Sequence, residues 1–294
     1  MGDHAILITG TSGQVGGALL SLLGDRALRA DRQQCDLSRP ETLRAYLEAV
    51  RPAAIINPAA YTKVDQAEGE EDLAHRINAE SPGVMARYAA DAGIPFIHYS
   101  TDYVFPGTGE QFHTEEDATG PLSAYGRTKL AGEQAVREAG GKHLIFRTSW
   151  VFDGTGKNFL TTMMRLGRER ETLRVVADQW GAPTYAPHIA RATLEALQAA
   201  TDADAFPSGM YHLCAQGVTS WYGFASEIFR LARARGLPLM VKEVDPITSD
   251  QYPTPAARPG NSRLSTTKLQ QTLGVTLPSW EAGTAEAVDM LTIL

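Results

Sequence analysis

Tyr125 and Lys129 stand four positions apart in LSAYGRTKLAGEQ, residues 122–134, a stretch that reads as a helix with Leu122, Leu130 and the alanines as a partial apolar stripe. Four apart on a helix means one face and side-chain reach. A free tyrosine, with a pKa of about 10, is a feeble acid at neutral pH. Lowering it by three units takes roughly 4 kcal/mol. A lysine ammonium about 4 Å away supplies on the order of 4 kcal/mol at an effective dielectric of 20. Such a phenol can give a proton to a carbonyl oxygen as hydride reaches the carbon. The same spacing also suits a tyrosine packed on a lysine stem, and Gly126 is a poor residue for a helix interior. The surrounding chain has to decide.

Two further features bear on it. ITGTSGQVGG places Gly10, Gly13 and Gly16 at equal spacing between a strand and a helix. Glycines there permit a tight turn and let backbone N–H groups approach a pyrophosphate at the helix N-terminus. The spacing differs from the common G-x-G-x-x-G and lacks the Lys-Ser/Thr of a P-loop. Asp31 follows Gly10 by 21 residues, a distance that suits a ribose 2′-hydroxyl and favours NAD. Arg32 is next and could instead accept a 2′-phosphate, so NADPH and NADH both stay open. In HYSTDYVF, Thr101 ends a strand at the edge where open α/β sheets place ligands, and its hydroxyl can donate to a carbonyl.

The elements that must position these residues alternate. HAILITG, ALRAD, AAIINPAA, PFIHYSTDYVF and HLIFRTSWVF read as strands. Between them QVGGALLSLLG, PETLRAYLEAV, residues 70–93 as one or two helices, and 122–140 read as helices. This rhythm predicts an α/β fold, a Rossmann-like doubly wound parallel sheet. Beyond residue 150 it loosens into helices at 157–170, 187–200 and 219–235, the short strands LRVVAD and GMYHLCA, a proline-rich loop over 245–261 and a closing helix. The expected division is a dinucleotide-binding domain, 1–150, and a smaller α/β substrate-binding lobe, 151–294, interleaved with it. His98, His143 and His212 lie in strand-like runs and read as core.

With 43% hydrophobic and 21% charged residues the chain has a globular balance. Its net charge of -7, without basic runs, argues against nucleic acid and against a polybasic membrane patch. Cys35 and Cys214 are far apart and in no metal-ligand spacing, which suits a reducing compartment. MGDHAILITG carries no signal-peptide pattern, and no stretch approaches the roughly 18 apolar residues of a membrane helix. A cytoplasmic location is expected.

The motifs GQVG, STDYVFPGTG, YGRTKLAGE, HLIFRTSWVF, DQWGAPT and YPTPAARPGNSRL span nearly the whole chain. Through them it resembles the extended short-chain dehydrogenase/reductases and, among these, the dTDP-4-dehydrorhamnose reductase family. That resemblance implies NAD(P)H-dependent reduction of a nucleotide sugar, with Tyr125 and Lys129 at the catalytic positions and Lys129 also on the ribose. Gly13, Gln14 and Val15, beside Gly10 and Gly16, would line the pyrophosphate. Asp31 would meet the ribose, Asp36 and Leu37 would flank the adenine, and Ala60, Tyr61 and Thr62 would border the nicotinamide half. Thr101, Asp102 and Tyr103 would meet the reacting sugar, Trp150 the sugar or thymidine side, and Asn78 would orient Lys129 through water. Trp150 has a core tryptophan as its lesser alternative, and Asn78 reads equally as a helix-surface asparagine.

Related 4,6-dehydratases typically carry Asp-Glu after the threonine, where this chain has Asp102 and Tyr103. Epimerases lack the ARPGNSRL resemblance. A non-catalytic regulatory subunit of the same family is the rival from another class. Some reductases of the family are described as magnesium-bridged dimers held by glutamates; the equivalent positions here are Ala18, Pro187 and Met290. Asp289 is one residue off, about 100° around a helix. No metal is therefore expected, and the chain should be a monomer or a metal-independent homodimer.

Overall fold

In the computed structural model, residues 5–30 and 32–292 are described; Asp31, named above for the ribose, lies outside them. The first half alternates as β1 (Ile6–Ile8), α1 (Gln14–Leu23), β2 (Ala27–Arg29), α2 (Pro40–Val50) and β3 (Ala54–Asn57). It continues through α3 (Val64–Ala67), α4 (Glu71–His75), α5 (Ser81–Ala92), β4 (Phe96–Thr101), α6 (Ala124–Ala139) and β5 (His143–Thr148). The second half brings β6 (Val151–Phe152), α7 (Phe159–Glu169), β7 (Thr172–Val176), β8 (Trp180–Gly181), β9 (Thr184–Tyr185) and α8 (Ala186–Asp202). It ends with β10 (Gly209–His212), β11 (Thr219–Ser220), α9 (Trp221–Ala234), β12 (Glu243–Ile247), α10 (Thr267–Leu273) and α11 (Trp280–Met290).

The central sheet runs β10-β5-β4-β3-β1-β2, and every pairing in it is parallel. β3 and β4 are buried along their whole length, as strands covered by helices on both faces must be. One face packs on α1, α8 and α10 through Ile8, Leu19, Ile189 and Leu269; the other packs on α2, α5 and α6 through Leu7, Leu43, Met85 and Val136. Strand order reverses between β1 and β3, which opens the crevice where ligands of doubly wound sheets bind. A third core, around Phe152, Phe224, Phe229 and Trp280, belongs to the second half. That half also lends α8, β10 and α10 to the central sheet.

Several local expectations are refined. Residues 70–93 form α4 and α5 joined by a π-helical turn, Arg76–Glu80, whose extra residue turns Asn78 into the protein. Helix α6 starts at Ala124, because Ser123 caps it by accepting from the Gly126 N–H at 3.2 Å. Leu122 therefore lies outside the helix and is exposed, not part of its apolar stripe. The strand expected over residues 95–105 stops at Thr101 and turns as a single 3-10 helix, Asp102–Val104. HLIFRTSWVF is two strands, broken where Trp150 takes φ 48°. The proline-rich loop starts as β12, parallel to β7.

Candidate active site

The turn after β1 is built for close backbone approach. Gly10 has φ 56°, and a Cβ there would stand 2.8 Å from the Ala59 Cα across the crevice. At Gly16 a Cβ would stand 2.2 Å from the Gly10 carbonyl oxygen, so α1 seats directly on the turn. Gly13 is the N-cap of α1 and supplies no side-chain cap, leaving the first-turn N–H groups of Gln14 and Val15 beside the crevice. A cavity of about 340 Å³ opens there, lined among others by Gly10, Asp36, Leu37 and Ala60. These features fit a dinucleotide: a helix N-terminus for its pyrophosphate and a pocket for its adenosine.

Arg29 lines the same cavity, which the sequence reading missed. Its Nε donates to Thr11 Oγ1 at 3.1 Å, fixing the guanidinium at the end of β2. Arg32, also lining it, leans toward Asp36 at 3.7 Å. An arginine two positions before an acid was legible, but only the strand register shows that its side chain turns into the pocket.

The side chains of Gln14 and Tyr61 are held by other groups of the protein. The Gln14 amide donates to the Val151 carbonyl at 3.4 Å, and Val15 packs on the sheet core. The Tyr61 hydroxyl donates to Glu70 at 2.5 Å, a bond that pushes its pKa up to about 12. Thr62 is exposed. Asn78 Oδ1 accepts from the Tyr61 N–H at 2.8 Å, while its Nδ2 donates to the Tyr61 carbonyl and to Thr128 Oγ1. Its side chain thus ties the 57–62 loop to α6.

Thr101, Tyr125 and Lys129 converge at the C-terminal edge of β4. Asp102 sits below them, 2% exposed, its Oδ1 accepting from the Thr101 hydroxyl at 3.0 Å. Its Oδ2 accepts from Ser262 Oγ at 2.5 Å. Burial pushes this carboxyl up to about 6 against the pull of those hydroxyls. Ser262 belongs to ARPGNSRL, so that distant motif is fastened to the end of β4. The Tyr103 ring meets Tyr125 edge-on, with centroids 5.5 Å apart.

The expected depression of Tyr125 by Lys129 is not what this geometry produces. Burial drives the phenol above its ordinary value, the Thr101 hydroxyl opposes the rise, and the Asp102 charge adds to it. Lys129 Nζ instead donates to the Tyr99 carbonyl at 2.6 Å. Desolvation is the larger effect here.

A cleft of about 970 Å³ opens beside Tyr103. The first half contributes Asp65 and Tyr103; the second contributes Phe159, Arg174, Trp221 and Arg258, among others. Arg258 donates to Asp65 Oδ2 at 2.8 Å, tying the 248–264 loop across the opening. Trp150 stacks on Trp221 with centroids 3.7 Å apart, and of the two it is Trp221 that lines the cleft. His98 and His212 are fully buried, as read from sequence, whereas His143 is half-buried at the start of β5.

A parallel Rossmann-like sheet carrying this glycine turn and a Thr-Tyr-Lys edge defines an oxidoreductase of the short-chain dehydrogenase/reductase fold. Residues 4–293 match the family model described as the RmlD substrate binding domain. The chain is 46% identical to dTDP-4-dehydrorhamnose reductase of Escherichia coli K12, with 97% of each covered. It is 48% identical to that of Burkholderia thailandensis, over 94% of this chain and 95% of the other. A dTDP-4-dehydrorhamnose reductase of Clostridium acetobutylicum superposes with a TM-score of 0.90 at 37% identity, covering 98% of this chain and 99% of that one. Another, from Bacillus anthracis and solved in complex with NADP, gives 0.89 at 35% identity over the same shares. The chain belongs to the dTDP-4-dehydrorhamnose reductase family.

Proposed function

We propose that the chain reduces the C4 keto group of dTDP-4-dehydro-β-L-rhamnose to give dTDP-L-rhamnose, oxidising NADPH or NADH. The observation that carries this reading is the convergence of Thr101, Tyr125 and Lys129 at the end of β4, next to Tyr103, which lines the cleft of about 970 Å³. The family's named members and the NADP complex of one of them support it. A reduced dinucleotide, which Gly10, the start of α1, Asp36, Leu37 and Ala60 would hold, would supply the hydride. The chain's own residues handle the proton and the geometry.

Tyr125, protonated at neutral pH, gives its proton to the carbonyl oxygen as the carbon gains hydride, so the C=O bond becomes CH–OH. Thr101, fixed by Asp102, holds that oxygen. Lys129 binds the ribose and offers a positive charge as the phenolate forms. In the cleft, Trp221 and Phe159 provide faces for the base, and Arg174 and Arg258 a cationic wall for the diphosphate. Residues 1–150 would serve the coenzyme and 151–294 the sugar, apart from the elements the second half lends to the sheet. No helix among the described residues is long and apolar enough to cross a membrane, in keeping with work on a soluble nucleotide sugar in the cytoplasm. The test is incubation with dTDP-4-dehydro-β-L-rhamnose and each reduced coenzyme. Oxidation matched one to one by dTDP-L-rhamnose is expected, and a folded, coenzyme-binding protein that makes none would end the proposal.

A further inference from the structure

The proposed reaction makes no use of Glu133 or Arg147, yet both are charged groups buried under the site, at 2% and 3% exposure. Arg147, on β5, grips Glu133, on α6, with both arms of its fork: Nε to Oε1 at 2.8 Å and Nη2 to Oε2 at 2.7 Å. The guanidinium also lies over the Phe105 ring, 4.8 Å from its centroid. Taking two charges from water costs several kcal/mol per ion, and an apolar pair of the same shape is often as stable or more so. Stability alone is a weak reason for such a pair. Its position supplies a better one. Glu133 is one turn beyond Lys129 on the inward face of α6, and Lys129, itself buried, is anchored at its tip by the Tyr99 carbonyl.

We infer that Glu133, locked in place by Arg147, is a positioning residue that keeps the Lys129 ammonium charged and aimed into the catalytic edge. The titratable groups that bear on Lys129 are His98 on β4 and, on its own helix, Glu133 one turn on and Tyr125 one turn back, with Arg147 on β5 behind Glu133. His98 is kept neutral by burial, with the Lys129 charge pushing the same way. Arg147 is already paired. Glu133 is the carboxylate that acts on the lysine: burial lowers Lys129 to about 8, and Glu133 opposes that fall. Without it, the buried amine would hold its proton less tightly.

This inference rests on the reductase reading, and its test separates the two. Turnover at saturating substrate is followed against pH for wild type, Glu133→Gln, Glu133→Asp and the double variant Glu133→Gln/Arg147→Met. The double variant leaves no stranded guanidinium and so guards against simple misfolding. In Glu133→Gln and in the double variant, the alkaline limb should move down by at least about one pH unit, a tenfold change in proton affinity. Activity should recover toward wild type as the pH is lowered, and Glu133→Asp should restore part of the shift. A folded double variant whose pH profile matches wild type would overturn the inference. In parallel, the Lys129 side-chain nitrogen is titrated by NMR. Inactive wild type would reject the reductase reading alone, whereas a lysine titration indifferent to Glu133 would reject the positioning role alone.

Discussion

Asp102 is the residue where burial and chemistry pull hardest against each other. Its carboxylate takes hydroxyl hydrogen bonds from Thr101 and Ser262 yet still lies near 6, because desolvation outweighs both. A carboxyl raised above its unfolded value of about 3.9 costs the fold stability where it is ionised, and the cost vanishes below the unfolded pKa. The upward shift corresponds to roughly 3 kcal/mol, lost to the wild type as pH rises through that window and absent in Asp102→Asn. Denaturant melts of the two proteins should therefore show the wild type gaining on Asp102→Asn by about that amount on acidification from neutrality to below that pKa. A pH-independent difference would mean that Asp102 titrates normally. Coenzyme choice belongs to the same scale. Arg29, fixed by Thr11 in the adenosine cavity, is expected to meet a 2′-phosphate. Arg29→Ala should lower efficiency with NADPH about tenfold more than with NADH, the size of a hydrogen bond to a charged group; equal losses would remove Arg29 from coenzyme discrimination.

Helix α6 shows how far the elements could be read in advance. The Tyr125–Lys129 spacing, the helix that carries it and the strand ending at Thr101 were all legible, since periodicity and local residue types encode them. The reason for the glycines in YGRTKLAGE was not, because it lies in tertiary approach. A Cβ on Gly126 would stand 2.3 Å from the Tyr103 carbonyl oxygen, and one on Gly132 would stand 2.0 Å from the Asn78 carbonyl oxygen. Residues that are poor helix formers are here because two backbones touch the helix. The π-helical turn that delivers Asn78 was equally hidden, as one extra residue leaves no mark on hydrophobic periodicity. Gly132→Ala should destabilise the protein by about 1–3 kcal/mol, the usual cost of overpacking, although alanine is the better helix former. A thermal melt unchanged or raised would show that α6 does not press on that turn.

On the scale of the whole molecule, the alternating first half announced a parallel sheet, while the return of α8, β10 and α10 to it could not be deduced from their own sequences. Nor could the crossing of the cleft by the 248–264 loop, which depends on Asp65 and Arg258 meeting over a separation of 193 residues. Assembly is a separate matter. The positions that the sequence reading sets against bridging glutamates hold Ala18, Pro187 and Met290, none with a side-chain oxygen, and the neighbouring Asp289 is ion-paired with Arg235. Sedimentation and turnover should accordingly be the same in EDTA and in excess magnesium; a magnesium-dependent rise in mass would place ligands elsewhere on the surface.

The central claim is that hydride reaches the sugar C4 while Tyr125 delivers the proton, and isotope transfer tests it most directly. Reduced coenzyme deuterated at its transferable position is mixed with dTDP-4-dehydro-β-L-rhamnose and either wild type or Tyr125→Phe. Wild type should place the deuterium at C4 of the product. Tyr125→Phe should do so at least about a hundredfold more slowly, the ordinary size of a general-acid contribution, while binding coenzyme as before. Deuterium retained by the coenzyme in wild type, or equal rates for the two proteins, would contradict the account.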